Sequence, residues 1–230
     1  PLGHGQGGAV AGPDRHIGPP YYLINDTFTT DLAAGSVNGT DAEPGPGRRK
    51  VIDTESKMAI SGGAAAVSGG KASPVTGDPG HWYEISASRQ AGRLMIAPFI
   101  WTSGIFQIGW SNLTISDTGR SAFQFNGANA QARASGVNVA IGTITSATQY
   151  RASIVLRESG AFYFLKTTTG NWLLLWIANS PTDSTPLYPA ITNFSGAYSY
   201  QDVIVPADRW LPAPLASDGF SAWGSTDGLG

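Results

Sequence analysis

The sequence has no cysteine and little charge. Without cysteine the chain forms no disulfide bond and offers no thiolate to a metal. Charged residues make up 13% of its 230 residues, with only four Glu and four Lys, whereas amphipathic helices need many such side chains on their water-facing side. The formal net charge of −2 provides no basic surface for a polyanion. We therefore expect neither an all-α fold nor a nucleic-acid partner.

Long apolar runs are also missing. No stretch approaches the roughly 18 apolar residues that cross a bilayer as a helix, so no membrane insertion is expected. Glycine (30 residues) and aromatic residues (10%, with seven Trp) are abundant instead, and together with many Ser and Thr they favour strands joined by turns. A chain of this length fits one large β domain, because sandwiches and barrels often extend over about 200 to 250 residues.

A meander of three strands is the clearest structural signal. Residues 149–156 alternate between two sets of side chains with the two-residue period of a strand. A turn at 157–160 leads to a second strand at 161–166, and a third follows at 171–178. This third run, NWLLLWIA, is so uniformly apolar that both of its faces should be covered, which predicts a central position in its sheet.

Further strand candidates precede the meander. They are residues 57–60, 64–67, 81–85, 93–101, 105–110, 122–125 and 137–141. Pro98 lacks a backbone N–H, so its strand is expected to lie at an edge or to bulge there. Residues 39–50 (GTDAEPGPGRRK) are rich in turn formers and predict an exposed loop. Together these features predict an all-β, two-sheet antiparallel β-sandwich.

Composition divides the chain into three parts. Residues 1–20 are rich in Gly and Pro and predict a linker or arm. Residues 21–206 predict one β-sandwich module. Residues 207–230 predict a junction and the start of a following repeat or a C-terminal extension.

A repeated junction supports that division. The segments PDRHIGPP (13–20) and ADRWLPAP (207–214) are each followed by an Asp-x-Phe element, at 26–28 and at 218–220. The two copies are separated by about 190 residues, and a period of this length corresponds to a whole domain. It predicts a module from a longer, tandemly repeated protein. Coincidence is the alternative, because Pro-rich linkers resemble one another.

The residues of several strands resemble a known family. The Asp-x-Phe strand at 26–28, the strand ending in Ile-Gly-Trp at 108–110 and the meander at 150–177 resemble concanavalin A-like lectin and glucanase (laminin-G-like) jelly rolls. Among these they are most similar to domains tandemly repeated in phage and environmental bacterial surface proteins. The resemblance covers residues 23–205 and implies a jelly roll of two antiparallel sheets. Family members bind glycans, form adhesive spacers or hydrolyse β-glucans, so function must be argued from site residues.

The residues required for hydrolysis are not evident. Hydrolytic members of the family commonly carry Glu-x-Asp-x-x-Glu on one strand, because two carboxylates must flank the glycosidic bond, and that motif is absent. The close pair Asp53 and Glu55 either shares a strand face, as in a degenerate glycoside hydrolase, or begins a strand in solvent. His81 is either a base or, as we favour, a half-buried or turn-capping ring. We expect that the protein is not an enzyme.

Calcium is the one metal for which the loops offer candidate ligands. This fold often binds Ca²⁺ through loop carboxylates, and the candidates are Asp78, Asp117 and Asp183. Their spacing follows no regular ligand pattern, so a structural Ca²⁺ remains open and its ligands are not assigned. No other cofactor is expected.

Four residues of the middle strands are candidates for glycan binding. Sugars stack on aromatic rings, and amide groups bind their hydroxyls. The candidates are Trp101, Trp110, Asn112 and Asn126. The alternative is that both Trp side chains belong to the core, as aromatic residues at strand spacing usually do.

The preferred interpretation is a non-catalytic structural or adhesive module of a multidomain surface, appendage or virion protein, with an extracellular, cell-surface or virion location. Its partners would be neighbouring copies or domains of the same protein, as in a homo-oligomer or larger assembly. The alternative is a carbohydrate-binding module attached to an enzyme or adhesin. The degenerate hydrolase is a third hypothesis, which requires Asp53 and Glu55 to line a deep cleft.

Overall fold

The computed structural model describes residues 22–69, 80–85, 91–113, 120–134, 137–157, 160–179 and 186–207. These residues form sixteen strands and no helix, and hence no helix that could span a membrane. The strands are β1 (Tyr22–Asp26), β2 (Arg49–Val51), β3 (Met58–Ser61), β4 (Ala64–Ser68), β5 (His81–Tyr83), β6 (Ala91–Trp101), β7 (Ile105–Ser111), β8 (Arg120–Asn126), β9 (Asn129–Ala134), β10 (Val137–Thr143), β11 (Gln149–Arg157), β12 (Gly160–Thr167), β13 (Leu173–Asn179), β14 (Tyr188–Ser195), β15 (Ala197–Tyr200) and β16 (Val203–Pro206).

The strands form two antiparallel sheets. The nine-stranded sheet has the order β13-β12-β11-β6-β15-β4-β3, and β16 lies between β6 and β1. The seven-stranded sheet has the order β10-β9-β8-β7-β14-β5-β2. The predicted two-sheet β-sandwich is therefore confirmed. The predictions for residues 1–20, for the two junctions and for the second Asp-x-Phe element lie outside the described residues.

The main core lies between the sheets. Along β7, Phe106, Ile108 and Trp110 point towards the nine-stranded sheet, and the Trp110 indole Nε1 donates a hydrogen bond to the Ile154 carbonyl oxygen of that sheet (3.1 Å). Alternate residues of β8, β9 and β14 face inward in the same register. Each large side chain buried in this way stabilises the fold by about 1.5 to 3 kcal/mol.

The meander is confirmed, but its third strand is not central. β11, β12 and β13 pair in sequence order, yet β13 forms the edge of the nine-stranded sheet, with β12 as its one partner among the described strands. Its uniform apolarity has another cause. A second apolar cluster lies on the sheet face turned away from the main core, formed by Leu94, Ile96, Val155, Phe164 and Leu174. Leu174 packs into this cluster and Ala178 into the main core, but Leu173 and Ile177 are exposed, so the prediction that both faces are covered holds only in part.

Pro98 lies in β6, which is an interior strand and not an edge. β6 pairs with β11 on one side and with β15 and β16 on the other. The Pro98 carbonyl oxygen accepts a hydrogen bond from Gln201 N (2.9 Å), and in a strand the nitrogen of a residue faces the same side as its carbonyl. The missing N–H therefore faces the break between β15 and β16, where Asp202 has a positive φ of 43°. Because the strand pairing is interrupted at this break, no backbone N–H donor is needed at Pro98.

The segment 39–50 is not a simple exposed loop. It folds against the first strand through an isolated bridge between Asp26 and Pro44, and a second bridge joins Asp41 and Arg48 within the segment. Ala42 is buried, and the segment ends in β2, whose Arg49 side chain points into the protein. The turn-forming residues did predict the bends, but the sequence pattern did not reveal the buried arginine.

Candidate functional site

The two tryptophans predicted to bind sugars are core residues. Trp110 is 1% exposed and Trp101 is 9% exposed. The Trp101 indole Nε1 donates a hydrogen bond to the Gly104 carbonyl oxygen (3.2 Å). Both side chains take the inward positions of their strands, so neither ring presents a face to a ligand, and the interpretation of them as stacking platforms is not supported.

The predicted asparagines do not join these rings in one site. Asn112 is half-buried just beyond the end of β7, whereas Asn126 is exposed at the turn between β8 and β9. Since Asn126 pairs with Ile105 at the start of β7, the length of β7 separates the two asparagines by about 20 Å. The four candidates therefore form no single cleft.

Asp53 has a structural role. Its carboxylate oxygens accept hydrogen bonds from the backbone N–H groups of Lys57 (2.8 Å) and Met58 (2.7 Å). These bonds hold the turn that leads into β3, and Glu55 is exposed on the same turn. This arrangement agrees with the solvent-exposed alternative and gives no support to a catalytic pair. The three carboxylates considered for calcium lie outside the described residues.

A different surface brings polar side chains together. On the seven-stranded sheet, the residues that alternate with the core point away from the nine-stranded sheet, and we call this surface the outer face. One row across it contains Thr192, Gln107, Gln124 and Gln131, on the adjacent strands β14, β7, β8 and β9. Thr192, Gln107 and Gln124 are buried, and Gln131 is half-buried.

The three glutamines form a hydrogen-bonded ladder. Gln107 Nε2 donates to Gln124 Oε1, and Gln124 Nε2 donates to Gln131 Oε1, both at 2.9 Å. Arg133 Nη1 donates to the same Gln124 oxygen (2.9 Å). All the amides point in one direction, so each bond polarises the next. The ladder ends at the Gln131 amide nitrogen, which has no hydrogen-bond partner among the described residues.

A second row, next to the ladder, is floored by small residues. It runs from Trp82 on β5 through Ala190, Gly109 and Ala122 to Arg133 on β9. At the usual spacing of strands, Trp82 and Arg133 are about 19 Å apart. This row thus carries an aromatic ring at one end and a polar donor at the other, with small, buried residues between them.

Carboxylates are scarce on this surface. Glu84, just beyond β5, is the one acidic residue on the part of the outer face that the structure describes, and Lys50 Nζ lies 2.9 Å from its Oε1. Glycoside hydrolysis requires two carboxylates on opposite sides of the scissile bond. The described outer face can therefore bind hydroxyl groups, but it lacks that catalytic pair.

A buried polar cluster lies between the sheets, and little in the sequence indicates it. Arg49 Nε and Nη2 donate to the two carboxylate oxygens of Asp26 (2.7 and 2.5 Å), and the Tyr83 hydroxyl donates to Asp26 Oδ2 (2.8 Å). His81 Nδ1 lies 2.6 Å from the Tyr200 hydroxyl. The cluster connects β1 and β15 of one sheet with β2 and β5 of the other. The one local sign was a charged residue at the end of the apolar strand β1.

The electrostatics of this cluster are those of a structural core. Burial lowers the pKa of His81 to about 3, and the positive charge of Arg49 adds to this effect while Asp26 opposes it. Burial raises the pKa values of Tyr83 and Tyr200, and the neighbouring charge of Asp26 contributes in both. His81 therefore stays neutral near neutral pH. Because its ring is buried, it meets no substrate and is not a candidate base.

The depressed pKa of His81 predicts a loss of stability in acid. Between its ordinary pKa of 6.5 and about 3, the unfolded chain binds a proton at His81 that the folded protein does not. The free energy of unfolding therefore decreases as the pH is lowered across this window. We expect the free energy of unfolding, measured with urea, to decrease less between neutral pH and about pH 5 in His81→Phe than in the parent protein. Equal pH dependence in the two proteins would contradict this account.

The two antiparallel sheets define the fold class of the protein as a jelly-roll β-sandwich. No protein-family model and no curated protein matches the sequence. Among solved structures, the protein is similar to a β-1,3-glucanase from Mycobacterium marinum (TM-score 0.50, 12% identity, 83% of this chain and 100% of that one). It is also similar to an uncharacterised protein from Mycobacterium paratuberculosis (TM-score 0.51, 10% identity, 80% and 100%). At these identities the likeness concerns the fold.

Proposed function

We propose that the protein is a non-catalytic carbohydrate-binding module whose outer face holds a glycan. The observation that carries this proposal is the polarised glutamine ladder, which ends in an amide donor on half-buried Gln131 that has no partner in the described part of the chain. An amide donor held in place by its neighbours binds a hydroxyl oxygen with little loss of side-chain entropy. The ladder thus favours recognition of polar, hydroxyl-rich ligands.

The row next to the ladder suits an extended ligand. Trp82 is half-buried, so part of its ring is open to stack on the apolar face of a sugar. The residues between that ring and the polar end, Ala190, Gly109 and Ala122, have small or no side chains that would separate the two. Across about 19 Å, an oligosaccharide would contact both ends, whereas a single sugar would contact one. We therefore propose an oligosaccharide ligand.

The proposed setting is a surface. We propose that the module belongs to an extracellular, cell-surface or virion protein and occurs beside neighbouring copies or domains, as in tandemly repeated laminin-G-like domains. The small proportion of charge and the abundance of glycine support densely packed sheets of this kind. Binding through amides and an aromatic ring requires no cofactor, and a structural Ca²⁺ remains a separate prediction.

Binding can be tested with β-1,3-glucan oligosaccharides, a probe suggested by the similar M. marinum enzyme. We expect calorimetry to detect binding without hydrolysis. Trp82→Ala should weaken binding about tenfold or more, since a lost stacking contact of roughly 1.4 kcal/mol corresponds to that factor. Gln131→Met should weaken it by about two- to tenfold, because one neutral hydrogen bond is lost.

A matched control is available on the other sheet. Trp172 is also half-buried, but it lies at the β13 end of the nine-stranded sheet, where Lys166 Nζ is 4.8 Å from its ring centre. Trp172→Ala should leave affinity unchanged. If no glycan on a broad array binds, or if all three variants bind as the parent protein does, the proposal is wrong and a purely structural module is favoured.

A further inference from the structure

We infer that the side of the sandwich formed by β10 and β13 docks against a second copy of this chain. Among the described residues, three large apolar side chains are exposed: Val137 (55%), Leu173 (52%) and Ile177 (36%). All three lie on these two strands. This inference is independent of glycan binding on the outer face.

The two strands form one continuous side. β13 is the last strand of the nine-stranded sheet and β10 is the last strand of the seven-stranded sheet. The Tyr163 hydroxyl of β12 donates to the Arg133 carbonyl oxygen of β9 (2.7 Å), so the strands next to the two edges are joined across the sandwich. The edges therefore lie side by side, and a partner approaching this side meets both.

This side lacks two of the usual protections of an edge strand. Natural edge strands commonly carry charged residues or proline, which oppose pairing with another chain. The sequences of β10 (VNVAIGT) and β13 (LLLWIAN) contain neither. At the other end of the seven-stranded sheet, β2 is charged, and Lys50 pairs there with Glu84. A neutral side meets its own copy without removing an ion from water.

The regular parts of both edge strands lie at the same position along the strand direction. Each edge strand contains an irregularity, between Leu174 and Trp176 in β13 and between Ala140 and Gly142 in β10. The regular stretches are then 176–179 and 137–140. Trp176 pairs with Tyr163, which bonds to Arg133, and Arg133 pairs with Asn138. One twofold axis perpendicular to the sheets would therefore place both stretches against their own copies, in antiparallel orientation.

The size of this side predicts a reversible dimer. Strands of seven residues present edges about 23 Å long, and the two sheets lie about 10 Å apart. With side chains included, each copy would contribute on the order of 500 Å², below the roughly 800 Å² per partner of a standard stable interface. We therefore expect dimers that form with rising concentration and dissociate on dilution. Ionic strength should change this equilibrium little, because no charge is involved.

Sedimentation velocity of the full chain over a range of concentrations tests the dimer. The parent protein should approach twice the chain mass at high concentration. Ile177→Lys and Val137→Lys, one in each sheet, should each weaken association at least tenfold, because each places a charge in an apolar contact. Thr54→Lys, on an exposed turn far from both strands, is the control and should associate as the parent does.

Hydrogen exchange locates the contact. At high concentration, the amides of residues 137–140 and 176–179 should exchange more slowly than in the dilute protein. Circular dichroism establishes that each variant is folded, and since the two Lys variants lie in different sheets, either one suffices for the test. A parent protein that stays monomeric, variants that associate as it does, or protection elsewhere would each overturn the inference.

Discussion

Arg49→Met is expected to lower the free energy of unfolding by about 3 to 5 kcal/mol, because it leaves a buried carboxylate without its ion pair. Asp26 and Arg49 are almost completely inaccessible to solvent. Asp26 would retain the Tyr83 hydroxyl (2.8 Å), but a neutral donor does not replace a guanidinium in two hydrogen bonds. In thermal unfolding, a loss of this size corresponds to roughly 6 to 20 °C in a domain of this length.

The neighbouring residue provides the control for this prediction. Arg48 carries the same charge, but its side chain is 56% exposed and lies 4.0 Å from Glu84. Arg48→Met should therefore change the free energy of unfolding by less than about 0.5 kcal/mol. Adding Asp26→Asn to Arg49→Met removes the uncompensated charge and should recover part of the loss. Equal effects of Arg49→Met and Arg48→Met in urea unfolding would show that burial of the pair is unimportant.

Gly104→Ala is expected to lower the free energy of unfolding by about 3 kcal/mol or more, through both backbone strain and overpacking. Gly104 has a φ of +81°, and an added Cβ would lie 2.5 Å from the Cα of Gly196. The loop before β7 and the turn before β15 pass each other here. Ala197 N and Ser103 N each donate to the carbonyl oxygen of the other residue (3.2 and 3.0 Å). The methyl group would force these two backbones apart.

Gly62→Ala separates the two causes. Gly62 also has a positive φ, +60°, but an added Cβ would meet no atom within 4 Å. This variant should cost only about 1 to 2 kcal/mol, the conformational penalty alone. The difference between the two alanine variants in urea unfolding then measures the steric part. If both variants lose the same amount, the close approach at Gly104 contributes nothing.

The local pattern of the sequence predicted the strands better than it predicted their neighbours. Alternation and glycine turns predicted the meander, and β11 to β13 agree with it. The position of β13 at an edge depends on which strands pair over long distances, and the apolar run NWLLLWIA carries no information on that. For the same reason, Pro98 was predicted to lie at an edge or at a bulge. Its tolerance in β6 depends on a break between two distant strands.

The candidate site could be predicted in part. Gln107 stands between two core residues of β7, and Gln124 stands between Phe123 and Phe125 of β8, so alternation alone places both glutamines on the outer face. That they meet each other and Gln131 depends on the register of three strands, which the sequence does not reveal. The same alternation, applied to Trp110, would have placed it in the core.

Arg49 illustrates what local reasoning misses. It lies in a polar stretch rich in turn formers, where a solvent-facing arginine is the ordinary expectation. Its partner Asp26 lies 23 residues earlier, and the segment between them must fold back before the pair can form. A buried charge is therefore explained by its distant partner and by the register of two strands, rather than by its own neighbours in the sequence.

The pairing of the first described strand with the last one has a consequence for protein engineering. Tyr22 pairs with Pro206 across β1 and β16, so the chain enters and leaves the sandwich at adjacent points. Joining these points with a short flexible linker should permit circular permutation, with new termini in a surface turn such as the one at Gly62 and Gly63. The same geometry would allow the whole domain to be inserted into a loop of another protein with little displacement of that loop's ends.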